Sequence, residues 1–326
     1  MNTRRRLVLA LGAGTLAPFA AFAQPRKTIH RIGVLGTGSQ ANGATLYGAF
    51  AQELKSLGYV EGKTLAFEYR FANGNLNTLP TLAAELMQKK VDVIFAPNSP
   101  SVQAAQKVAG ATPIVFATVS DPVERRFVTS MTQPGGNITG ITSSSPQLIL
   151  KRLQVLKATF PKVSHLAVAI SREFRASTQL EEIQRTAKGM GIEVLPIEIR
   201  ARRSFDEAAD VLRKWKADAF SCLETSVNYF NREVLAEFSA KMKMPAIFTS
   251  KDYAEAGGLM SYGANSEAAY RHAAVFVDKI LKGAKPGALA VESPAKFELI
   301  VNTKTAKTLG IVIPQAILQQ ADQLIA

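Results

Sequence analysis

Val91-Asp92-Val93-Ile94-Phe95-Ala96-Pro97-Asn98-Ser99-Pro100 is the stretch on which the fold turns. Residues 91–96 form a short β-rich apolar run, the pattern of a strand buried on both faces of a parallel sheet. Ser99 before Pro100 then reads as a helix N-cap with proline in the first helical position. Strand, polar turn and helix make one unit, and the same unit recurs on either side. Upstream, the pattern predicts strand 31–35, helix 44–57, strand 64–69 and helix 76–90. Downstream it predicts a helix to about 108, strand 114–119, a turn-rich segment at 133–137, an extended 138–143 and a helix over 146–158. A second series follows with strand 166–170, helix 177–190, strand 193–199, helix 205–215, strand 219–223, helix 227–241 and strand 246–249. Alternation of this kind specifies βαβ units, so the chain is α/β, with two doubly wound Rossmann-like lobes.

The remaining residues are too few for a core of their own. Gly257-Gly258 precedes a short strand at 259–262, a long helix covers 266–281, and Gly283-Ala284-Lys285-Pro286-Gly287 ends it. Strand 297–301 and helix 315–325 complete the chain. Shared between the lobes, this tail makes the connection a multi-crossover hinge. The expected division is 24–144 plus 265–290 for the first lobe and 145–264 plus 291–326 for the second.

The 326 residues are 47% apolar and 20% charged, which suffices for a buried core and excludes a disordered chain. At the amino terminus, Arg4, Arg5 and Arg6 precede an apolar run and Ala21-Phe22-Ala23, the pattern of an export leader cleaved near Ala23. Losing those arginines lowers the formal charge from +13 to +10. The basic residues are dispersed, so a soluble cationic surface is expected and no nucleic-acid partner. The arginines weakly resemble a twin-arginine signal, though three form an ordinary basic region, and the general secretory route is favoured. No later run is long enough to span a bilayer. A periplasmic location follows, away from nucleotide pools. With no cysteine at the cleavage point, a free rather than lipid-anchored protein is expected.

Much chemistry is missing. His30, His165 and His272 are far apart with no metal-type spacing, so no metal is expected. There is no G-x-S-x-G elbow and no phosphate-cradling loop ending in Lys-Ser or Lys-Thr. No acidic spacing singles out an acid–base pair, and on spacing alone a glycosidase stays open. Cys222 reads as a core residue. Gly36-Thr37-Gly38-Ser39-Gln40-Ala41 matches a dinucleotide fingerprint in form, but the acid expected about 20 residues later is missing. It reads instead as a tight turn that lets a ligand approach the backbone, and no cofactor is implied.

Open parallel sheets bind ligands at the carboxyl ends of their strands. In the first lobe those ends offer Thr37-Gly38-Ser39, Asn98-Ser99-Pro100 and Ser120-Asp121-Pro122, the last again reading as a cap before proline. In the second they offer Ser171-Arg172, Glu224-Thr225-Ser226 and Ser250-Lys251-Asp252. Free backbone donors at helix starts favour a carboxylate, while Glu224 or Asp252 could meet an amine. Tyr253, Phe174 and Tyr229 are candidates to stack on an aromatic portion. Each of these residues also has a plain role as cap or packing.

Several motifs carry a family resemblance: Gly58-Tyr59-Val60-Glu61-Gly62, Val91-Asp92-Val93-Ile94, Pro113-Ile114-Val115-Phe116, Asp121-Pro122-Val123 and Pro134-Gly135-Gly136-Asn137-Ile138-Thr139-Gly140. Glu255-Ala256-Gly257-Gly258-Leu259-Met260-Ser261-Tyr262-Gly263 follows, then Ala306 through Leu309-Gly310 to Ile313-Pro314. In order, they resemble the periplasmic substrate-binding proteins of ABC transporters in the tryptophan-receptor-like group, which have the type I periplasmic-binding fold. That resemblance implies a monomeric, non-enzymatic receptor that closes on a small molecule and presents it to permease membrane subunits. Some similar receptors bind aromatic or branched amino acids. It also implies ligand contacts at Gly38, Ser39, Asn98, Ser99 and Asp121; Ser171, Arg172, Glu224, Thr225, Ser250 and Asp252 rest on strand-end position. Glu124-Arg125-Arg126 departs from the small residues common there. A secreted α/β hydrolase is the alternative, without a recognisable nucleophile–base pair. A sugar-responsive repressor would need a DNA-reading helix pair where the leader stands.

Overall fold

In the computed structural model the described residues are 29–41, 43–143, 145–170, 177–199, 201–294 and 296–326; the expected leader lies outside them. The first half runs β1 (His30–Gly36), α1 (Ala44–Ser56), β2 (Leu65–Phe71), α2 (Leu79–Gln88), β3 (Val93–Phe95), α3 (Ser99–Gln106), β4 (Ile114–Val119) and β5 (Ile138–Thr142). Its strands form one parallel sheet in the order β2-β1-β3-β4-β5. Apolar runs in β1, β3 and β4 are buried because helices cover both faces. The order reverses between β1 and β3, and that switch point opens a crevice at their carboxyl ends.

The second half runs α4 (Pro146–Thr159), β6 (His165–Ile170), α5 (Thr178–Gly189), β7 (Glu193–Glu198), α6 (Phe205–Trp215), β8 (Ala219–Cys222), α7 (Ser226–Phe230), α8 (Arg232–Lys241), β9 (Ile247–Phe248), α9 (Lys251–Glu255) and β10 (Met260–Ala264). The chain continues as α10 (Ser266–Leu281), β11 (Phe297–Asn302), α11 (Thr303–Leu309), α12 (Gln315–Gln320) and β12 (Gln323–Ile325). Sheets β7-β6-β8 and β12-β11-β10-β9 meet where Phe220 bridges Ala246 and Ser221 Oγ donates to the Ile247 carbonyl at 2.7 Å. Strand β10 is parallel to β9 and antiparallel to β11.

Helix α10 returns to the first sheet, where Tyr270, Ala273, Ala274 and Val277 share a core with Phe50 of α1 and Phe95 of β3. The Phe50 and Phe95 rings stack with centroids 4.0 Å apart. The chain therefore passes between the halves after β5, after β10 and after Glu292, which still bridges Ile141 beside β5.

Local differences from the expected elements have identifiable causes. The helix expected over 76–90 opens as a 3₁₀ turn, because the Asn75 side chain accepts from Asn77 N. The one expected over 227–241 breaks at Asn231, whose amide donates to the Val227 carbonyl and competes with the helical ladder. The terminal helix stops at Gln320: Asp322 exchanges two hydrogen bonds with the Leu299 backbone and lays β12 against β11. Asp121-Pro122 starts a run of turns rather than a helix. At α3 the cap is Asn98, one residue earlier than expected, accepting from Ser101 N at 3.3 Å.

Candidate ligand cleft

Strand ends from both halves converge on one cleft of about 690 Å³. The ends of β1, β3, β4 and β5 supply Thr37, Gly38, Ser39, Asn98, Ser99, Thr118, Ser120 and Ser143. From β8 and β9 come Glu224, Thr225, Thr249, Ser250 and Asp252. The contrast in charge follows from these sources. Among the described residues the charged lining groups, Glu224, Arg232 and Asp252, belong to the second half, whereas the first contributes hydroxyls, amides, glycines, Leu46 and Tyr47.

The polar groups are held by their neighbours. Asn98 spans two strand ends, its amide donating to Thr37 Oγ1 at 2.9 Å while its carbonyl caps α3. The positive end of that helix therefore faces the cleft. Across the gap, Thr225 caps α7 by accepting from Asn228 N, and Ser250 Oγ donates to Asp252 Oδ2 at 3.2 Å. Gln179 Oε1 accepts from Glu224 N at 2.7 Å. Burial pushes the Glu224 carboxyl above its ordinary range, against the pull of Arg152.

Aromatic rings occupy both walls. Tyr47 of α1 meets Phe71 and Tyr270 edge to face, at centroid distances of 5.2 and 5.7 Å. Tyr229, Phe230 and Tyr253 line the opposite side. Tyr229 is 37% exposed, yet its hydroxyl end is enclosed, and burial with the Asp252 carboxylate beside it pushes the phenol up to about 12. The Arg232 guanidinium lies 5.1 Å from the Tyr229 ring centre, within cation–π range.

Gly38, Ser39, Asn98, Ser99, Glu224, Thr225, Ser250 and Asp252 thus share the cleft. Asp121 does not line it: Arg125 Nε grips both carboxylate oxygens at 2.8 and 3.0 Å. Ser171, Arg172 and Phe174 lie outside the described residues. Glu124, in the divergent Glu124-Arg125-Arg126 segment, accepts from Thr178 Oγ1 at 3.1 Å and links the two halves. Sequence reasoning missed Tyr47, Asn73, Tyr270 and Arg232, which come from helices and a turn rather than from the strand ends searched. It also missed Arg152, whose signal was a cation four residues from Leu148 and from Leu156 on an apolar helix face.

Among the described residues no cluster of His, Cys, Asp or Glu could hold a metal ion, and no helix is long and apolar enough to cross a membrane. Beyond the Gly36–Ala41 turn, Glu68 lies within β2 and pairs with Arg31 and Arg70. Burial pushes the Cys222 thiol up to about 11, so native protein should not react with a thiol-specific disulfide reagent at neutral pH until denaturant is added. Rapid reaction of native protein would show the site to be open.

Residues 35–325 match the family model for the ABC transporter substrate binding protein. The chain belongs to that family. A tyrosine-binding protein from Clostridioides difficile is 26% identical over 263 residues, covering 80% of this chain and 75% of that one. A conserved domain protein from Vibrio cholerae superposes with a TM-score of 0.80 at 26% identity, over 91% of this chain and all of that one. The ABC domain from Streptococcus pneumonia in complex with L-Trp gives 0.81 at 23% identity with the same coverage, which shows the shared fold. For a substrate-binding protein with the type I periplasmic-binding fold, the hydrolase alternative finds no support.

Proposed function

We propose that this substrate-binding protein captures an aromatic amino acid outside the cytoplasm and hands it to the membrane subunits of an ABC importer. The carrying observation is the division of labour in the cleft. The uncharged wall, with the α3 amino terminus behind Asn98 and Ser99, suits a carboxylate. Glu224 and Asp252 on the facing wall suit an ammonium, and Tyr47, Tyr270, Tyr229 and Phe230 suit a ring. The tyrosine-binding relative and the L-Trp complex support the same class. In this reading Gly38, Ser39, Asn98, Ser99, Thr225 and Ser250 contact the ligand, and lobes 24–144 plus 265–290 and 145–264 plus 291–326 close around the three passages as a monomer. Cleavage near Ala23 releases the chain into the periplasm.

A thermal-shift series tests the ligand class. L-tyrosine or L-tryptophan should raise Tm by several degrees, since ligand at a hundredfold excess over Kd adds about 2.7 kcal/mol to the closed, folded form. L-leucine should give less, and L-glutamate none. A panel in which no aromatic amino acid moves Tm would reject the assignment.

A further inference from the structure

Helix α4 carries a cation on the face it buries. Leu148, Ile149, Leu153, Val155 and Leu156 pack into the core, and Arg152 stands among them at 4% exposure. A guanidinium stays charged in proteins, so it needs a partner there. Its Nε donates to the Tyr262 carbonyl at 2.8 Å. Its Nη2 lies 3.5 Å from Glu224 Oε2, a long contact, and among the described residues neither buried atom makes a well-formed hydrogen bond.

The location gives the pair its meaning. Glu224 lines the cleft beside Ser143, the residue that follows β5 where the chain first passes between the halves. Tyr262 is in β10, just before the second passage into α10. A buried ion pair gives little stability over an apolar pair of the same volume. Glu224 also lines the cleft, so a carboxylate held by Arg152 from behind is placed to accept from a ligand in front.

We propose that Arg152 is a positioning residue for binding: it keeps Glu224 ionised and available to the ligand's ammonium, and through the Tyr262 carbonyl it ties the cleft to the passage between β10 and α10. The ammonium half rests on the amino-acid reading; the hold on Glu224 does not. Among the described residues the groups facing Glu224 are Arg152 from α4, Ser143 after β5, Asp121 from the turn after β4, Cys222 from β8 and Tyr253 from α9. Cys222 and Tyr253 stay neutral at physiological pH, because burial raises both. Arg152 is the cation of this set, and removing it leaves burial and Asp121, opposed only by the Ser143 hydrogen bond, to favour the protonated acid.

The test compares wild type with R152M, R152Q, R152K and E224Q. Side-chain carbonyl NMR of glutamate-labelled, ligand-free protein follows the Glu224 carboxyl, assigned by its loss in E224Q. Its titration should move to higher pH in R152M and lie near wild type in R152K, which restores the charge. R152Q keeps a donor for Tyr262 without the charge and decides the matter if R152M does not fold. Calorimetry with L-tyrosine and L-tryptophan should show R152M weaker by about tenfold, with the gap widening as pH falls, and E224Q weak but without that pH dependence. An unmoved Glu224 titration in the charge-removing variants, or a loss of affinity equal at every pH, would overturn the proposal. Failure of both amino acids to bind wild type would instead sink the ligand reading, and the NMR arm would still decide the role of Arg152.

Discussion

Gly140→Ala should cost the fold about 3 kcal/mol, seen as a lower denaturant midpoint with an unchanged slope. Gly140 lies in β5 at φ 153°, a conformation that side-chain-bearing residues rarely adopt. A Cβ there would stand 2.1 Å from the Phe116 carbonyl oxygen and 2.7 Å from its nitrogen, so strand β4 itself is in the way. Moving β5 would also disturb Glu292, whose amide donates to the Gly140 carbonyl and which holds the third passage against the sheet. Gly38→Ala is the control. Its added carbon meets nothing within 4 Å, and stability should change by no more than about 0.5 kcal/mol. Equal midpoints for the two variants would refute this account of β5.

That contrast explains what could be read from the residues in order. Pro134-Gly135-Gly136-Asn137-Ile138-Thr139-Gly140 marked the family because its parts are local and backbone-driven. Asn137 donates to the Gly110 and Thr112 carbonyls, and Gly136 lies where Gly287 crosses closely. Apolar runs gave the strands of the first sheet in the same way, since burial on both faces leaves a continuous pattern. Residues 265–290, and α10 with them, were expected beside the first lobe, but the partners α10 meets there were not legible: its packing against Phe50 and Phe95 is set by tertiary contact. Strand β12 was missed because helix-forming Gln319, Gln320 and Ala321 lead into it, and the pairing of Asp322 with Leu299 outweighs local propensity.

The cleft divides along the same line. Strand-end residues were visible as turn chemistry, and eight of the candidates, seven polar ones and Gly38, line one surface. Tyr47 and Tyr270 were not visible: they sit more than two hundred residues apart, on helices that meet only because α10 crosses back. Asp121 shows the converse. A carboxylate before proline looked like a cap, but an arginine four residues on takes both its oxygens. Identity at a strand end marks a candidate, and the nearest counter-charge decides how its side chain is held.

The rings then carry the second large effect. Tyr229→Ala should weaken binding of L-tyrosine or L-tryptophan by about thirtyfold, close to 2 kcal/mol, because a cleft-lining aromatic loses both its contact area and its ring-to-ring geometry. The unliganded protein should keep nearly its full Tm, since Tyr229 lies on a five-residue helix and is partly exposed. Tyr229→Phe separates the ring from the hydroxyl. With the phenol pushed up to about 12 it is neutral at any pH where the receptor works, so the phenylalanine variant should bind within a few-fold of wild type and show no new pH dependence. L-leucine, lacking a ring to stack, should lose less than either aromatic ligand in Tyr229→Ala. Calorimetric titration of the three amino acids against the three proteins reads all of this at once. An alanine variant that binds L-tyrosine as tightly as wild type would place the ring outside the ligand's reach and leave the cleft's aromatic walls as packing alone.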